Sequence, residues 1–437
     1  MAYNILDYGA RAEEGVLNTQ AIQKAIDACF ESGGGEVIIP KGDFLCGGLT
    51  LKSRVQLVLQ GGAVLRASVN PKDYNNVPGG FWKGILLYAD GAEDVSVEGS
   101  GTILGPGKDD WGKWWGIPEP LPFRVSLMKV LNCSNLRILD VTFRYSCSWT
   151  IHMIKCENVK ITGIRILNNY HHLHSDGIDP DSCKNVIIAN CHIITGDDCI
   201  VPKTTQKDAP LENLVVTNCI LETPTTAVKI GTESFSPFRD IHFNNCTIRN
   251  SSVGCGIFVK DGATVERVTF TNMTVQCGDW EEVKPIIPLY IDVEQRSEES
   301  AIGKVRDIIF QNINVNCGSG ALFQGMPESH IENLTVADIT FRAETKADYS
   351  IRTKALGCNR VRPDDGRDFT YIRKPAYLSF AHIDGLTVRN VAVCQEGAAA
   401  ELEEMSALYL HDIKDADISA VRHTSTGEKK AQMITED

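Results

Sequence analysis

A short alternating pattern recurs along most of the chain and constrains its fold more than any other feature. In each copy apolar residues occupy every second position, and the copy ends on a small or polar residue, as in Val186-Ile-Ile-Ala-Asn190. Most copies follow the previous one after roughly 25 residues, and the longer intervals leave room for a loop. The copies begin at Val95, Leu136, Val159, Val186, Leu214, Ile241, Val268, Ile308, Leu334 and Leu386.

The alternation within each copy is typical of a β-strand. No helical pattern of useful length separates the copies, and strands this short do not pair as hairpins across some twenty residues of coil. A parallel β-helix satisfies both observations, because it places one repeat in each turn and pairs the turns in parallel around a dry core. We therefore predict an all-β parallel β-helix that forms a single domain over residues 1–437.

The two ends of the chain differ from the repeats. The first region, residues 1–35, contains an apolar helical face that can cover the open end of a solenoid, starting at Asn18-Thr19 and ending at Gly33-Gly34-Gly35. The last region, residues 424–437, is polar and is predicted to be a tail. The helical face consists of Ala21, Ile22, Ala25, Ile26, Cys29 and Phe30.

The composition excludes several classes of protein. Acidic residues outnumber basic ones, 56 to 43, and the net charge of −13 argues against a nucleic-acid binder. The sequence has no apolar run long enough to span a membrane and no visible secretion signal, so we expect a cytoplasmic protein without a membrane partner.

The 15 cysteines and a set of asparagines are interpreted as structural. The cysteines are odd in number and scattered, which favours buried reduced thiols over disulfides or a zinc site. Asparagines recur in one register, and we expect them to stack at an inward turn. The asparagines are Asn190, Asn218, Asn245, Asn272 and Asn312, and the cysteines expected to stack inside are Cys133, Cys191, Cys219 and Cys246.

Carboxylates cluster between His171 and Lys203. Asp176 and Asp197 are slightly less than one turn apart, and adjacent turns of a parallel β-helix lie about 4.8 Å apart. Asp176 should therefore lie beside Asp197 and Asp198. Such a trio suits glycoside hydrolysis, in which one carboxyl donates a proton and another remains ionised. A calcium site, solvated turn acids and a polysaccharide lyase remain open alternatives.

The segment Ser175-Asp-Gly-Ile-Asp179, followed by Gly196-Asp-Asp198, resembles the catalytic signature of glycoside hydrolase family 28, the polygalacturonase family. Ser148-Trp-Thr-Ile-His152 resembles the strand that precedes the active site in this family. The N-terminal segments Tyr3–Ala10 and Gly33–Pro40 resemble the start of pectate-lyase-type β-helices. The resemblance implies a right-handed parallel β-helix that needs no cofactor and no metal.

The resemblance also assigns roles. Asp197 matches the general acid, and Asp176 and Asp198 match the pair that orients and deprotonates the attacking water. The family inverts the anomeric centre, which implies carboxyl groups about 6.5–9.5 Å apart.

Three family positions are altered in this chain. His174 stands where the family has Asn, and no His occurs near Pro224–Ala227, where a Gly-His-Gly motif is expected. In Phe258-Val-Lys260, Lys260 matches the family lysine but Phe258 replaces an arginine. Loss of a bidentate guanidinium in favour of an apolar ring suggests a different sugar, neutral or deoxy, at the cleavage subsite.

His174 and Phe258 are candidates for substrate binding, together with five other residues. Lys203, Lys229 and Lys260 would form a strip that binds acidic or hydroxyl-rich sugars, Glu233 would bind sugar hydroxyls, and His152 would line the floor of the cleft. The alternative is that the lysines offset nearby acids and that the histidine is an ordinary strand residue.

Long loops are expected to surround the groove, at about residues 70–85, 105–122, 279–303 and 342–378. One of them carries Trp111, Trp114 and Trp115, which could stack on sugar rings or pack beneath the loop. The histidines at 171, 172 and 174 could suggest a metal site, but a cleft-edge loop explains the same spacing.

The combined prediction is an inverting O-glycosidase that cleaves pectin-type or related oligosaccharides, exo-acting on short fragments. The alternatives are a polysaccharide lyase on the same fold or a carbohydrate-binding protein that has lost catalysis. The expected partner is an oligosaccharide substrate, and the sequence does not specify an oligomeric state.

Overall fold

Short parallel strands make up most of the chain, and they form a right-handed parallel β-helix, which confirms the predicted fold class. The computed structural model describes residues 1–77, 84–108, 123–278, 286–297, 299–344, 376–401, 405–427 and 432–436. The chain divides into two compact units, Met1–Val201 and Pro202–Asp437. No helix among the described residues is long and apolar enough to cross a membrane.

The described residues of the first unit form one α-helix and eighteen strands. Two short 3₁₀ helices, Ile5–Tyr8 and Pro71–Asp73, lie between them. The elements are β1 (Ala2–Asn4), α1 (Thr19–Glu31), β2 (Gly35–Ile39), β3 (Gly42–Cys46), β4 (Leu49–Thr50), β5 (Val55–Leu59), β6 (Ala63–Ala67), β7 (Gly84–Asp90), β8 (Ser96–Gly99), β9 (Thr102–Leu104), β10 (Val125–Leu131), β11 (Arg137–Leu139), β12 (Thr142–Arg144), β13 (Ile151–Ile154), β14 (Glu157–Thr162), β15 (Arg165–Leu167), β16 (Ile178–Asp181), β17 (Lys184–Ala189) and β18 (His192–Ile194).

Three parallel ladders run through the first unit. Strand β1 begins the first, in the order β1–β2–β5–β8–β11–β14–β17. Strand β3 begins the second, in the order β3–β6–β9–β12–β15–β18. The third is β4–β7–β10–β13–β16. Each coil of the chain therefore supplies one strand to each ladder, and successive coils stack in register.

The second unit has longer strands that bend from one ladder into the next. A 3₁₀ helix, Gly397–Glu401, lies between two of them. The strands are β19 (Leu211–Thr217), β20 (Ile220–Glu222), β21 (Thr226–Ile230), β22 (Phe238–Asn244), β23 (Thr247–Ser251), β24 (Val253–Val259), β25 (Thr264–Cys277), β26 (Ile287–Val293), β27 (Lys304–Asn316), β28 (Ala321–Gln324), β29 (Ile331–Ala343), β30 (Ala376–Gln395), β31 (Ser406–Ser425) and β32 (Gln432–Glu436).

The apolar positions of the repeat predicted from the sequence form the inner face of these ladders. Within the second unit, Leu214, Ile241, Val268 and Ile308 pair in register from coil to coil, and all are fully buried. Phenylalanines two residues further on stack as well: Phe243 lies 5.0 Å from Phe270, with the rings nearly parallel. Each apolar position thus packs on its copy in the next coil, which is why the spacing recurs.

The predicted cap helix is present as α1, and its buried face contains Ile22, Ala25, Ile26 and Cys29. The side chain of Asn18 does not cap the helix as expected. Its Oδ1 accepts a hydrogen bond from the Arg11 N–H at 2.7 Å, so it fixes the preceding loop instead. The polar tail predicted from residue 424 contains β32, which pairs in parallel with β31.

The asparagines fall in one register, as predicted, but the prediction that they stack at an inward turn was wrong. Asn218, Asn245 and Asn272 adopt left-handed backbone angles at exposed turns, where Asn is tolerated better than most residues. Asn245 Nδ2 donates to Asn218 Oδ1 at 2.8 Å, so the stack runs along the surface. The cysteines that follow them, Cys219 and Cys246, are buried and carry free thiols, as predicted.

Candidate active site

The three acids singled out in the sequence converge in the first unit. One carboxylate oxygen from each of Asp176, Asp197 and Asp198 lies within 4.8 Å of the others. All three residues are buried, with exposures of 3, 7 and 2%. The near-turn spacing of the sequence therefore does place them side by side on adjacent coils.

Backbone hydrogen bonds between the two coils fix this arrangement. The Gly177 N–H donates to the Asp198 carbonyl at 2.9 Å, and the Ile178 N–H donates to the Cys199 carbonyl at 2.9 Å. Asp176 therefore stands just before β16, directly beside the turn that carries Asp197 and Asp198.

The two glycines of the motif are required by close approach of the chain. A Cβ on Gly177 would lie 2.4 Å from the Cys199 carbonyl oxygen. A Cβ on Gly196 would lie 2.4 Å from the Asn169 carbonyl oxygen and 2.5 Å from that of His172. Any side chain at either position would force the acid-bearing turns apart, since real Cβ atoms do not approach this closely.

Two polar side chains hold the turn before Asp176. Ser175 Oγ donates to the His172 carbonyl at 2.7 Å and accepts from the Gly196 N–H at 3.0 Å. Asn168 Nδ2 donates to the Ser175 carbonyl at 3.1 Å and to Thr150 Oγ1 at 2.8 Å. These buried bonds explain why Ser occurs in the motif, and they were not anticipated from the sequence.

Asp197 is oriented by two backbone donors. Its Oδ2 accepts from the His174 N–H at 3.2 Å, and its Oδ1 accepts from the Asp198 N–H at 3.0 Å. His174 has a left-handed backbone conformation, with φ of 57°. His174, which stands where the family has Asn, is exposed, and its backbone N–H contacts the predicted general acid.

Arg124 is a component of this site that sequence reasoning missed. Its Nη1 lies 3.0 Å from His174 Nδ1, and its Nη2 donates to the Leu173 carbonyl at 2.6 Å. Burial lowers the pKa of Arg124, while the charges of Asp197 and Asp176 oppose that shift. The guanidinium therefore offsets part of the negative charge of the acids. It lies fifty residues from His174, and no local motif marks it.

His152 lies on β13 and is buried. Its Nε2 is 3.2 Å from Asp181 Oδ2, and its ring meets Trp149 edge-on with centroids 4.7 Å apart. It pairs in register with Asp179 of the next coil and Lys129 of the previous one. Burial lowers the pKa of Lys129, and Asp181 opposes this shift. The role of His152 as a floor residue stays a prediction.

The neighbouring His172 is buried at 1% exposure. Burial lowers its pKa to about 4, and the charge of Arg124 acts in the same direction. His172 is therefore neutral at neutral pH.

The candidate binding residues Lys203 and Glu233 form an ion pair in the second unit. Lys203 Nζ lies 3.0 Å from Glu233 Oε2, and only 3% of Lys203 is exposed. Burial raises the pKa of Glu233, but Lys203 and then Lys229 outweigh it and hold the pKa at about 2. Arg296 Nη2 is 3.9 Å from the other carboxylate oxygen of Glu233.

Lys260 is held between two carboxylates in the same unit. Its Nζ lies 2.6 Å from Asp292 Oδ2 and also forms a short ion pair with Glu294. Tyr290 donates its hydroxyl proton to the same Asp292 oxygen at 2.8 Å. Burial lowers the pKa of Lys260, yet Asp292 and Glu294 raise it overall. The charge of Lys260 is therefore balanced within the protein.

Comparison with known proteins identifies the family. Residues 29–358 match the model of "Glycosyl hydrolases family 28". The chain belongs to glycosyl hydrolase family 28. It is therefore a glycosidase, and the hypothesis of a family 28 hydrolase is confirmed.

Curated relatives agree with this assignment, and a solved structure shares the fold. A "Probable polygalacturonase" from Vitis vinifera is 25% identical over 79% of this chain and 75% of its own length. An "Exo-poly-alpha-D-galacturonosidase" from Dickeya chrysanthemi is 27% identical over 57% of this chain and 51% of its own. The hyperthermoactive exopolygalacturonase structure from Thermotoga maritima shares the fold, with 24% identity, a TM-score of 0.68, and 78% and 87% coverage.

The family arginine position is occupied by Phe258, and its ring is not an open platform. Phe258 is 3% exposed and packs against Tyr290, with ring centroids 4.8 Å apart. Lys229 Nζ lies 5.1 Å from the centre of the same ring, within the range of a cation–π contact. The predicted contact between Phe258 and substrate stays a prediction, which these neighbours do not favour.

The nearest carboxylate oxygens of the three acids are close enough to share one water. Inverting glycosidases keep the acid and the base about 6.5–9.5 Å apart. Here one oxygen of each acid lies within 4.8 Å of the others, a distance between single oxygen atoms and not between carboxyl groups, so the family spacing stays a prediction. Two oxygens no more than 4.8 Å apart can both hydrogen-bond to one water that lies about 2.8 Å from each.

Some predictions fall outside the described residues. Trp111, Trp114 and Trp115 belong to residues 109–122, and each predicted long loop includes residues that are not described.

Proposed function

We propose that this family 28 glycosidase hydrolyses pectin-type oligosaccharides from one chain end, with Asp197 as general acid. The convergence of three buried carboxylates on adjacent coils is the observation that carries the mechanism. Curated relatives with named activities, a polygalacturonase and an exo-poly-α-D-galacturonosidase, support the substrate class and the exo mode.

The proposed step transfers one proton from the enzyme to the leaving group and one proton from the attacking water to the enzyme. Asp197 gives its proton to the glycosidic oxygen as the bond from that oxygen to the anomeric carbon breaks. A water held between Asp176 and Asp198 adds its oxygen to the same carbon, and one of these carboxylates takes the proton that the water loses. The products are two shorter sugars that together contain one added water.

We propose that Arg124 supports this step through charge. Three carboxylates this close repel one another when ionised, and a buried guanidinium beside them reduces that cost. Its contacts with His174 and the Leu173 carbonyl also hold the turn whose backbone orients Asp197. Arg124 is thus proposed as a positioning residue.

We further propose that the anomeric centre is inverted, as family resemblance implies. The water would be bound by the Asp176–Asp198 pair and would attack from the face opposite to the leaving group. Proton NMR of the first product formed would show the configuration before mutarotation. A product with retained configuration would refute inversion and would indicate a covalent intermediate.

The substrate and the mechanism are tested together with defined oligosaccharides, both galacturonate-containing and neutral. Wild type should add one water per cleavage and release a single small product from the start, without intermediate lengths. Asp197→Asn should lose activity by at least about a hundredfold. Asp94→Asn is the matched control, because Asp94 is an exposed turn residue of the same unit whose Oδ1 accepts from Asn135 Nδ2 at 2.9 Å.

Three results would contradict the proposal. Ultraviolet-absorbing unsaturated products would indicate a lyase. Binding without turnover of any oligosaccharide would indicate a protein that has lost catalysis. Full activity of Asp197→Asn would exclude Asp197 as the general acid.

A further inference from the structure

A cluster of histidine and aspartate side chains lies in the second unit and includes none of the candidate active-site residues. His330, His382 and Asp412 occupy equivalent positions in three successive coils, since each directly precedes an isoleucine that pairs in register with its copies. One side-chain atom from each lies within 4.8 Å of the others. Two imidazoles and one carboxylate thus lie close enough to bind one ion together.

The distances within the cluster converge on one oxygen. His330 Nε2 lies 3.1 Å from Asp412 Oδ2, and His382 Nδ1 lies 2.8 Å from the same atom. Ligand atoms around a tetrahedral zinc ion, each about 2.0–2.1 Å from the metal, are roughly 3.3 Å apart. If the two distances from Asp412 Oδ2 to the histidine nitrogens lengthened by a few tenths of an ångström, the three atoms could bind one metal ion.

The second nitrogen of His330 supplies an independent argument. Its Nδ1 lies 2.7 Å from Asp384 Oδ1, so both ring nitrogens of His330 face carboxylates. A neutral imidazole carries only one N–H. With Nδ1–H donating to Asp384, Nε2 turns its lone pair towards Asp412, and only an added proton or a cation makes that arrangement favourable.

This pattern is that of a metal-binding histidine, which usually donates its remote N–H to a carboxylate. Asp384 is in turn 3.3 Å from Lys414 Nζ, which balances its charge. His330 and His382 have largely buried side chains, whereas the side chain of Asp412 is 41% exposed. The site therefore has a fixed inner side and an outer side open to solvent.

We propose that His330 Nε2, His382 Nδ1 and Asp412 Oδ2 bind a divalent transition-metal ion of the zinc class. Imidazole and carboxylate ligands suit Zn²⁺, and the exposed side leaves a position for water. Because the three ligands come from three successive coils, the ion would join coils that are distant in sequence. It would stabilise this part of the solenoid, since a ligand that binds only the folded state favours that state.

The test is zinc binding by the full chain after chelator treatment, measured by calorimetry and by metal content after dialysis. Wild type should retain one Zn²⁺ that is missing from Asp412→Asn, and zinc should raise its thermal midpoint. Asn suits the left-handed turn at position 412, where φ is 50°, so this variant should fold. Asp384→Asn should bind zinc roughly 10–100-fold more weakly, because it removes the carboxylate charge to which His330 Nδ1–H donates.

The matched control is His242→Gln, in the same unit, whose Nδ1 contacts Thr269 Oγ1 at 2.9 Å. It should bind zinc and respond to it as wild type does. Equal zinc retention by wild type and Asp412→Asn would overturn the proposal, because the metal would then lie elsewhere. No retained zinc in wild type would also overturn it, and would leave protonation of His330 as the explanation of its two carboxylate contacts.

Discussion

The ion pair between Lys203 and Glu233 allows a prediction whose size follows from the structure. Glu233→Gln removes the carboxylate charge but keeps the shape of the side chain. In the native state Glu233 contacts Lys203 Nζ at 3.0 Å, and Lys203 and Lys229 together outweigh burial to hold the pKa of Glu233 at about 2, against an ordinary value of 4.5. We expect the variant to be less stable than wild type at neutral pH.

The magnitude comes from linkage between protonation and folding. A tenfold change in proton affinity corresponds to about 1.4 kcal/mol, so a native pKa of about 2 against 4.5 gives roughly 3 kcal/mol. Because the Glu233 side chain is 28% exposed, solvent screening reduces this to about 2–3 kcal/mol. The native pKa is lowered, so this stability is present above pH 4.5 and is lost as the pH falls towards 2.

The assay is urea unfolding of wild type and Glu233→Gln at pH 7 and pH 3. The difference between them should be about 2–3 kcal/mol at pH 7 and less than half of that at pH 3. Lys203→Met and the double variant complete a double-mutant cycle, which measures the coupling of the pair directly. Glu13→Gln is the control, since Glu13 forms a 3.7 Å pair in which both side chains are more than 60% exposed, and it should change stability by less than about 0.5 kcal/mol.

Two results would refute this reasoning. A difference that stays constant from pH 7 to pH 3 would show that the charge of Glu233 does not stabilise the folded state. A coupling energy near zero in the cycle would show that Lys203 is not the partner responsible for the low pKa.

Three further predictions follow from the described contacts. Arg124→Met should lower kcat at least about tenfold and move the acidic limb of the pH–kcat profile to higher pH, because the acids lose a nearby positive charge; an unchanged profile would contradict its role. Chelation of divalent ions should leave hydrolysis intact, because Asp176, Asp197 and Asp198 are proposed as acid and base groups, whereas a loss restored by Ca²⁺ would support a calcium site. Lys260→Met should destabilise the fold by about 3–5 kcal/mol, since Asp292 and Glu294 lose a buried partner. The raised pKa of Lys260 means that its contribution is present below about pH 10.4 and is lost in wild type as the pH rises further, so alkaline unfolding curves of the two proteins should converge.

Much of the fold could be predicted because a solenoid repeats its own local pattern. The apolar positions of each coil pack on the equivalent positions of the next, as Leu214 and Ile241 do, so the period of the sequence is the period of the structure. The same periodicity placed Asp176 beside Asp197 without any knowledge of side-chain positions. The exposed direction of the asparagine stack was missed, because a ladder of amides can form at an inward turn or an outward one.

Sequence alone therefore determined the fold class, the cap helix and the acidic trio, all of which depend on local pattern and on distance along the chain. Only the tertiary structure brought Arg124 to His174, buried Phe258 against Tyr290, and joined His330, His382 and Asp412. These contacts link residues whose separation is set by loop lengths and by side-chain direction. Neither quantity has a periodic signature, so both are decided only when the coils have stacked and each side chain has taken the space that its neighbours leave.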